Sequence, residues 1–226
     1  MNNPHAYTTQ EQDAIYKVIS ERRDMRHFLS TPVDSIILQK ILTAAHHAPS
    51  VGLMQPWRFI RITDFKVRQA IHKLVDTERL KTANAIGESE DFERASAFLN
   101  LKVEGILECG ELLVVALCDK REGNIFGRRT MPEMDIASVS CAIQNMWLAA
   151  RAEGLGLGWV SMFDPIELAK LLNMPADAKP IAVLCLGHVA SFYKEPMLVE
   201  TRWKTEKPLA ELLMENGWNH DEQQAG

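Results

Sequence analysis

No two of the four cysteines, Cys109, Cys118, Cys141 and Cys185, form a C-x-x-C pair, and three of them lie in apolar runs. Free cysteine in such a setting behaves as a small hydrophobe, so neither a disulfide framework nor a zinc site is expected. Long apolar stretches are missing too. The longest, around Leu112–Cys118 and Ile181–Gly187, fall far short of the ~20 residues that span a bilayer. The opening MNNPHAYTTQEQ has neither a basic flank nor an apolar core, so no signal or transit peptide is expected and the cytoplasm is the expected compartment. Positive charge is scarce: 25 Lys and Arg stand against 30 Asp and Glu, a net charge of −5. That balance argues against nucleic-acid or anionic-membrane partners. Any anion must therefore be held by a local cluster of arginines. The sequence contains no P-loop, H-E-x-x-H or G-x-S-x-G motif, and it shows no repeat, low-complexity segment or linker.

What remains is a chain of 226 residues, 46% apolar and 24% charged, the composition of one ordinary globular domain. Thr8-Thr9-Gln10-Glu11 reads as a capping box opening a helix to about Glu21, with Ile15, Val18 and Ile19 on its apolar face. A second helix is expected from Asp34 to before Pro49, and Trp57–Ile62 alternates as a half-buried strand does. Helical stretches at roughly 65–82 and 91–108 flank the polar segment Asn84–Glu90. Leu112–Cys118 suits a central strand. Arg121–Glu133 is loop-like, and Asp135 is expected to cap the longest helix, which stops at Gly154. A strand near Leu157–Met162, a short helix capped by Asp164-Pro165 and a last core strand at Pro180–Val189 complete the order. From Phe192 onward the tail mixes Pro, charge and Trp without a clear period.

Three stretches can carry chemistry. Arg22-Arg23-Asp24-Met25-Arg26-His27-Phe28 places three guanidiniums in five residues, donors suited to a phosphate, although a salt-bridged helix end would look the same. Ala48–Phe59, A-P-S-V-G-L-M-Q-P-W-R-F, sets Ser50 and Gln55 among Leu53, Met54 and Trp57, as a mostly apolar small-molecule pocket does; an ordinary turn with buried anchors is the plainer alternative. Gly154-Leu155-Gly156-Leu157-Gly158-Trp159-Val160-Ser161 fails the dinucleotide fingerprint in spacing and in its helix-to-strand order. Its glycines are expected to end the helix and let backbone approach a planar ligand closely, with Ser161 at the strand end as a possible donor. His46 and His47 point to opposite sides of their helix, and His188 reads as a core histidine.

Taken in order, R-R-D-M-R-H-F, A-P-S-V-G-L-M-Q-P-W-R-F and E-G-L-G-L-G-W-V-S-M-F resemble the flavin-dependent nitroreductase family, over about Ile15 to Pro208. The resemblance implies an α+β fold, a central mixed sheet flanked by helices, and a homodimer with FMN at the interface. One domain over residues 1–226 is expected; tails such as that from about 192 often wrap a partner subunit, with loose surface packing as the plainer alternative. Within that family the sequence is similar to the 5,6-dimethylbenzimidazole synthase branch. Asp24 stands where ordinary members usually have serine, and L-K-V-E-G-I-L-E-C-G-E-L-L-V-V-A-L and G-W-V-S-M-F match as well. This implies oxygen-dependent fragmentation of reduced FMN to 5,6-dimethylbenzimidazole, the lower ligand of cobalamin. Flavin is then substrate, O2 the co-substrate, and a separate flavin reductase the supplier.

A carboxylate ~4 Å from a phosphate costs on the order of 4 kcal/mol at an effective dielectric of ~20. Asp24 is therefore expected to face the ribityl chain or ring edge, as a general base, while Arg22, Arg23 and Arg26 take the phosphate. The plainer role for Asp24 is to tether the arginines. By the same carry-over Met25, Ser50 and Ser161 contact FMN, Ser161 also orients oxygen, and Leu99 touches from a lid. Leu53, Met54, Trp57, Met162 and Phe163 are expected to form dry walls, with the helical stretch 91–108 as a cover. Two other readings compete: an NAD(P)H-dependent nitroreductase or flavin reductase, and a non-catalytic flavin-binding module.

Overall fold

The computed structural model describes residues 4–89 and 92–218. The chain divides into two compact units, Met1–Phe192 and Tyr193–Gly226. In the first, helix α1 (Thr9–Glu21) opens on the expected capping box: Thr8 and Glu11 each accept from the other's backbone N–H. Thr8→Ala removes one of those acceptors and is expected to cost about 1 kcal/mol. The check is a lower denaturation midpoint at constant slope; an unmoved midpoint would leave the cap without a role. The apolar stripe of α1 is uncovered, since no residue of the helix is buried and Ile15 and Ile19 are exposed.

Among the described residues four strands form one sheet in the order β1–β2–β4–β3, with β1 Trp57–Arg61, β2 Glu111–Leu117, β3 Gly156–Val160 and β4 Lys179–Gly187. Leu113, Val115, Leu117, Ala182, Leu184 and Leu186 pack on one side with α2 (Ser35–His46) and α5 (Met134–Ala152). Leu112, Val114, Val183 and Cys185 belong to the second core, with Ile71 and Val75 of α3 (Phe65–Ser89) and Leu168 of α6 (Pro165–Leu171). The period-2 alternation of side chains makes this division. Each aliphatic side chain fully buried this way contributes ~1.5–3 kcal/mol as an upper figure.

The structure corrects several expectations. The sheet is antiparallel in every strand pair rather than mixed; its one parallel element is a single bridge, Asp24 to Leu157. Continuous apolar runs usually signal parallel strands. Here β2 and β4 acquire them because helices cover both faces. Helix α3 continues through the polar segment to Ser89, which makes it longer than α5. Asn84–Ser89 is thus a solvated helix face, not a break, while Glu90 and Asp91 lie outside the described residues. The stretch expected as helix over 91–108 is helical only at α4 (Phe92–Leu99); beyond it the chain turns where Gly105 meets the backbone of Arg26. Asp135 is not a cap. Glu133 holds that position without a side-chain bond, and Asp135 is buried in the first turn, accepting from Arg121 (3.0 Å) and Arg128 (3.3 Å). A buried carboxylate needs such partners.

The second unit carries two one-turn helices, α7 (Met197–Glu200) and α8 (Leu209–Leu212). The Glu200 carboxylate accepts from the backbone of Lys194 and Glu195. Among the described residues no helix is long and apolar enough to cross a membrane.

Candidate functional site

The arginine segment begins where α1 ends. Arg22 turns to an extended backbone, and the chain then runs along β3 and the end of β4. Met25 N–H donates to the Leu157 carbonyl (3.0 Å), and Leu29 N–H to that of His188 (2.8 Å). Glycines make this run possible. A Cβ on Gly158 would sit well inside van der Waals contact of the Met25 carbonyl oxygen and 3.0 Å from Nη1 of Arg26. One on Gly156 would meet Met25 Cγ at 3.1 Å, and one on Gly105 the Arg26 carbonyl at 2.8 Å. The close approach expected for a planar ligand at Gly156 and Gly158 is therefore made by the chain's own Met25, Arg26 and Val189. Gly154 does end α5, with φ +74°.

Within the segment, three guanidiniums face one carboxylate, a surplus of 3 − 1 = 2 positive charges. Asp24 Oδ2 accepts from Arg26 Nη2 at 2.5 Å and Oδ1 from Trp159 N–H at 2.9 Å. Arg26 Nη2 also donates to the Trp159 carbonyl (3.0 Å). Asp24 thus ties Arg26 to β3, which is the tethering role, while 40% of its side chain stays exposed. Burial pushes its carboxyl above the ordinary value, opposed by Arg26, the Trp159 N–H and Arg22. Arg23 Nη1 donates to the Ser20 and Arg22 carbonyls. The Arg22 guanidinium lies over the Trp147 ring, 4.6 Å from its centre. Met25 is buried, with its side chain packed at Gly156.

Ser50 begins a strained loop: Gly52, Leu53 and Gln55 all have positive φ (53°, 52° and 46°). Non-glycine residues there cost on the order of 1–3 kcal/mol each and gather at ligand clamps. Two bonds to serine hydroxyls hold the loop, Gln55 N–H to Ser50 Oγ and Val51 N–H to Ser138 Oγ of α5, both 3.0 Å. Leu53 is 80% exposed. Trp57, expected as a pocket wall, is buried in the core with its indole N–H on His46 Nδ1 (3.3 Å); with Gln55 it edges a groove of about 430 Å³ beside α2. Phe163 is likewise buried, and Met162 half-buried. Ser161 is exposed just past β3, two residues from the Trp159 that anchors Asp24. Leu99 ends α4, where its carbonyl accepts from Arg79 of α3, a bond to α3 and not to the arginine segment.

The structure therefore gathers Arg22, Arg23, Asp24, Met25 and Arg26 with the β3 end that carries Ser161. Ser50 sits by the N-terminal part of α5 instead. From Ser138, which holds that loop, to Trp147, which lies under Arg22, α5 rises nine residues, about 14 Å. Sequence reasoning missed Trp147, Trp159 and Ser138 as partners. No spacing rule links residues so far apart, although the apolar character of α5 placed that helix centrally.

Comparison with known proteins gives a consistent picture. A model of the nitroreductase family matches residues 19–188. A 5,6-dimethylbenzimidazole synthase of Rhodospirillum rubrum is 38% identical over 87% of this chain and 92% of its own length. One from Rhodobacter capsulatus is 36% identical over 87% of this chain and 94% of its own. Among solved structures, a BluB-like flavoprotein from Clostridium difficile 630 superposes with a TM-score of 0.68 at 19% identity, covering 92% of this chain and 99% of that one.

Proposed function

The chain belongs to the nitroreductase family, and on that premise we propose that it converts reduced FMN and O2 to 5,6-dimethylbenzimidazole. The observation that carries this reading is Asp24, held between Arg26 and the backbone of Trp159 in the middle of an arginine cluster, in a chain 38% identical to a protein of that name. Reduced FMN, when bound, supplies both the electrons and the carbon skeleton of the product. The rest falls to the chain's own residues.

The two surplus positive charges of Arg22, Arg23 and Arg26 suit a phosphate dianion. Asp24 is spared repulsion from that anion because Arg26 neutralises it. A carboxylate whose proton affinity is raised by burial is better matched to taking a proton from carbon near neutral pH than an ordinary one. Ser161, exposed just past the end of β3 and two residues from Trp159, is assigned here to orienting oxygen.

The Ser50 loop completes the site from a second copy of the chain. The uncovered apolar residues of α1 (Ile15, Tyr16, Ile19), with Ile36 of α2 and Leu53, favour such a homodimer, and in this reading the tail from about residue 192 wraps the partner. Leu99 is assigned to a cover over the flavin. Four free cysteines, one of them exposed, suit the reducing cytoplasm, where a separate flavin reductase provides the substrate.

The test is to mix the protein with chemically reduced FMN and air and to analyse the products by mass spectrometry. 5,6-Dimethylbenzimidazole is the expected product. If oxidised FMN is recovered unaltered, the proposal fails. Steady NAD(P)H oxidation with a nitroaromatic at one persistent FMN would replace it with a reductase.

A further inference from the structure

We infer that Trp147 is a positioning residue for the anion grip, one that fixes Arg22 and Arg23 so that the site prefers a phosphorylated flavin over an unphosphorylated one. The inference rests on the flavin reading above.

Trp147 stands on α5 with 9% of its surface exposed. Its polar edge and its ring face are both turned to the arginine segment. The indole N–H donates to the Arg23 carbonyl at 3.1 Å, and the ring lies under the Arg22 guanidinium at 4.6 Å. Indole has no other polar group to offer. One helical turn onward, Arg151 donates to the Glu21 carbonyl (3.3 Å) and to its carboxylate (2.6 Å), which fixes the end of α1. On the far side Trp159, tilted against Trp147 at 6.2 Å, secures Asp24 and Arg26 through its backbone. Residues 21–26 are thus held from two directions, and the Trp147 side chain touches both Arg22 and Arg23.

An arginine lying on an aromatic face keeps its charge and loses rotamer freedom before any ligand arrives. Less freedom is then lost when an anion binds, so affinity for that anion rises. A ligand without the anion gains nothing from this arrangement. An indole that only filled space would affect both ligands alike, and that difference gives the test.

Trp147→Leu and Trp147→Phe are made in the full chain, and affinities for oxidised FMN and for riboflavin are measured by flavin fluorescence, alongside melting curves. Trp147→Leu is expected to weaken FMN about ten-fold and to leave riboflavin within about two-fold. Trp147→Phe keeps a ring face and loses the N–H, so a loss of about three-fold, again for FMN alone, is expected. Should the leucine variant fail to fold, the phenylalanine variant decides. Equal weakening of both ligands, or an FMN affinity that does not move, overturns the inference. If the unaltered protein itself binds FMN no better than riboflavin, the phosphate grip is wrong and the fault lies with the underlying reading.

Discussion

Asp24→Asn is expected to lower the yield of 5,6-dimethylbenzimidazole from reduced FMN and air by about 10²–10⁴-fold, the range associated with losing a positioned general base. Binding is expected to survive. Asparagine keeps an oxygen for the Trp159 N–H, which now meets Asp24 Oδ1 at 2.9 Å, so the backbone of the segment stays in place. What is lost is the charge and with it the Arg26 ion pair. Arg26 keeps the Trp159 carbonyl as acceptor, and its charge, no longer neutralised by Asp24, is left for the phosphate. FMN affinity is therefore expected to hold or rise.

The pH dependence of the unaltered protein supplies a second check. Burial, the largest influence on Asp24, raises its proton affinity in the folded state. For an acid shifted in that direction, the stabilising contribution is fully present below the unfolded value, ~3.9, and is lost as pH rises through the higher folded value. Activity that needs the carboxylate runs the other way and falls on the acid side of that same folded value. The acid limb of the single-turnover rate is thus expected at higher pH than an ordinary aspartate would place it, and absent from the residual rate of Asp24→Asn. An asparagine variant that made product at the original rate would remove Asp24 from the chemistry.

Gly158→Ala is the second substitution with a large expected effect. Its new methyl group would collide with the Met25 carbonyl and crowd Arg26 Nη1. Neither neighbour can retreat easily. Met25 is 1% exposed and bonded through its N–H to Leu157, and Arg26 is held by Asp24 and Trp159. Overpacking of this kind costs about 2–3 kcal/mol, or about 5–10 °C in melting temperature for a chain of this size. Because the displaced atoms belong to the grip itself, FMN affinity is expected to fall by about 100-fold, the equivalent of two lost charge-assisted hydrogen bonds. Gly154→Ala is the control. It has open space but φ +74°, so it is expected to cost about 1–2 kcal/mol of stability with FMN affinity unchanged. If Gly158→Ala bound FMN like the parent, the docking of the segment on β3 could not be what shapes the site.

Local signals were legible in the sequence, and long-range ones were not. The capping box at Thr8, the Asp164-Pro165 helix start and the alternation of Trp57–Arg61 are each decided by neighbours within a few residues. The arginine cluster, too, was visible as charge density. Strand direction was hidden because burial on both faces erases the alternation that would have marked β2 as antiparallel. The role of Asp135 was hidden for a similar reason. A carboxylate near a helix start reads as a cap, and nothing nearby announces that Arg121 and Arg128 fold back to bury it. Gly156 and Gly158 signalled correctly that something passes close by. That the passing object is the segment around Met25 required the fold.

The bonds that tie Arg26 and Asp24 to Trp159 join residues 133 to 135 positions apart. At ~5–20 residues per second, synthesis separates the two partners by roughly 7–27 s, and closing so long a loop gains nothing until both ends are in place. A nascent chain halted before β3 would therefore display all three arginines and still be blind to flavin. Ligand added during refolding would speed only the last step, as a wedge that seats a door already hung.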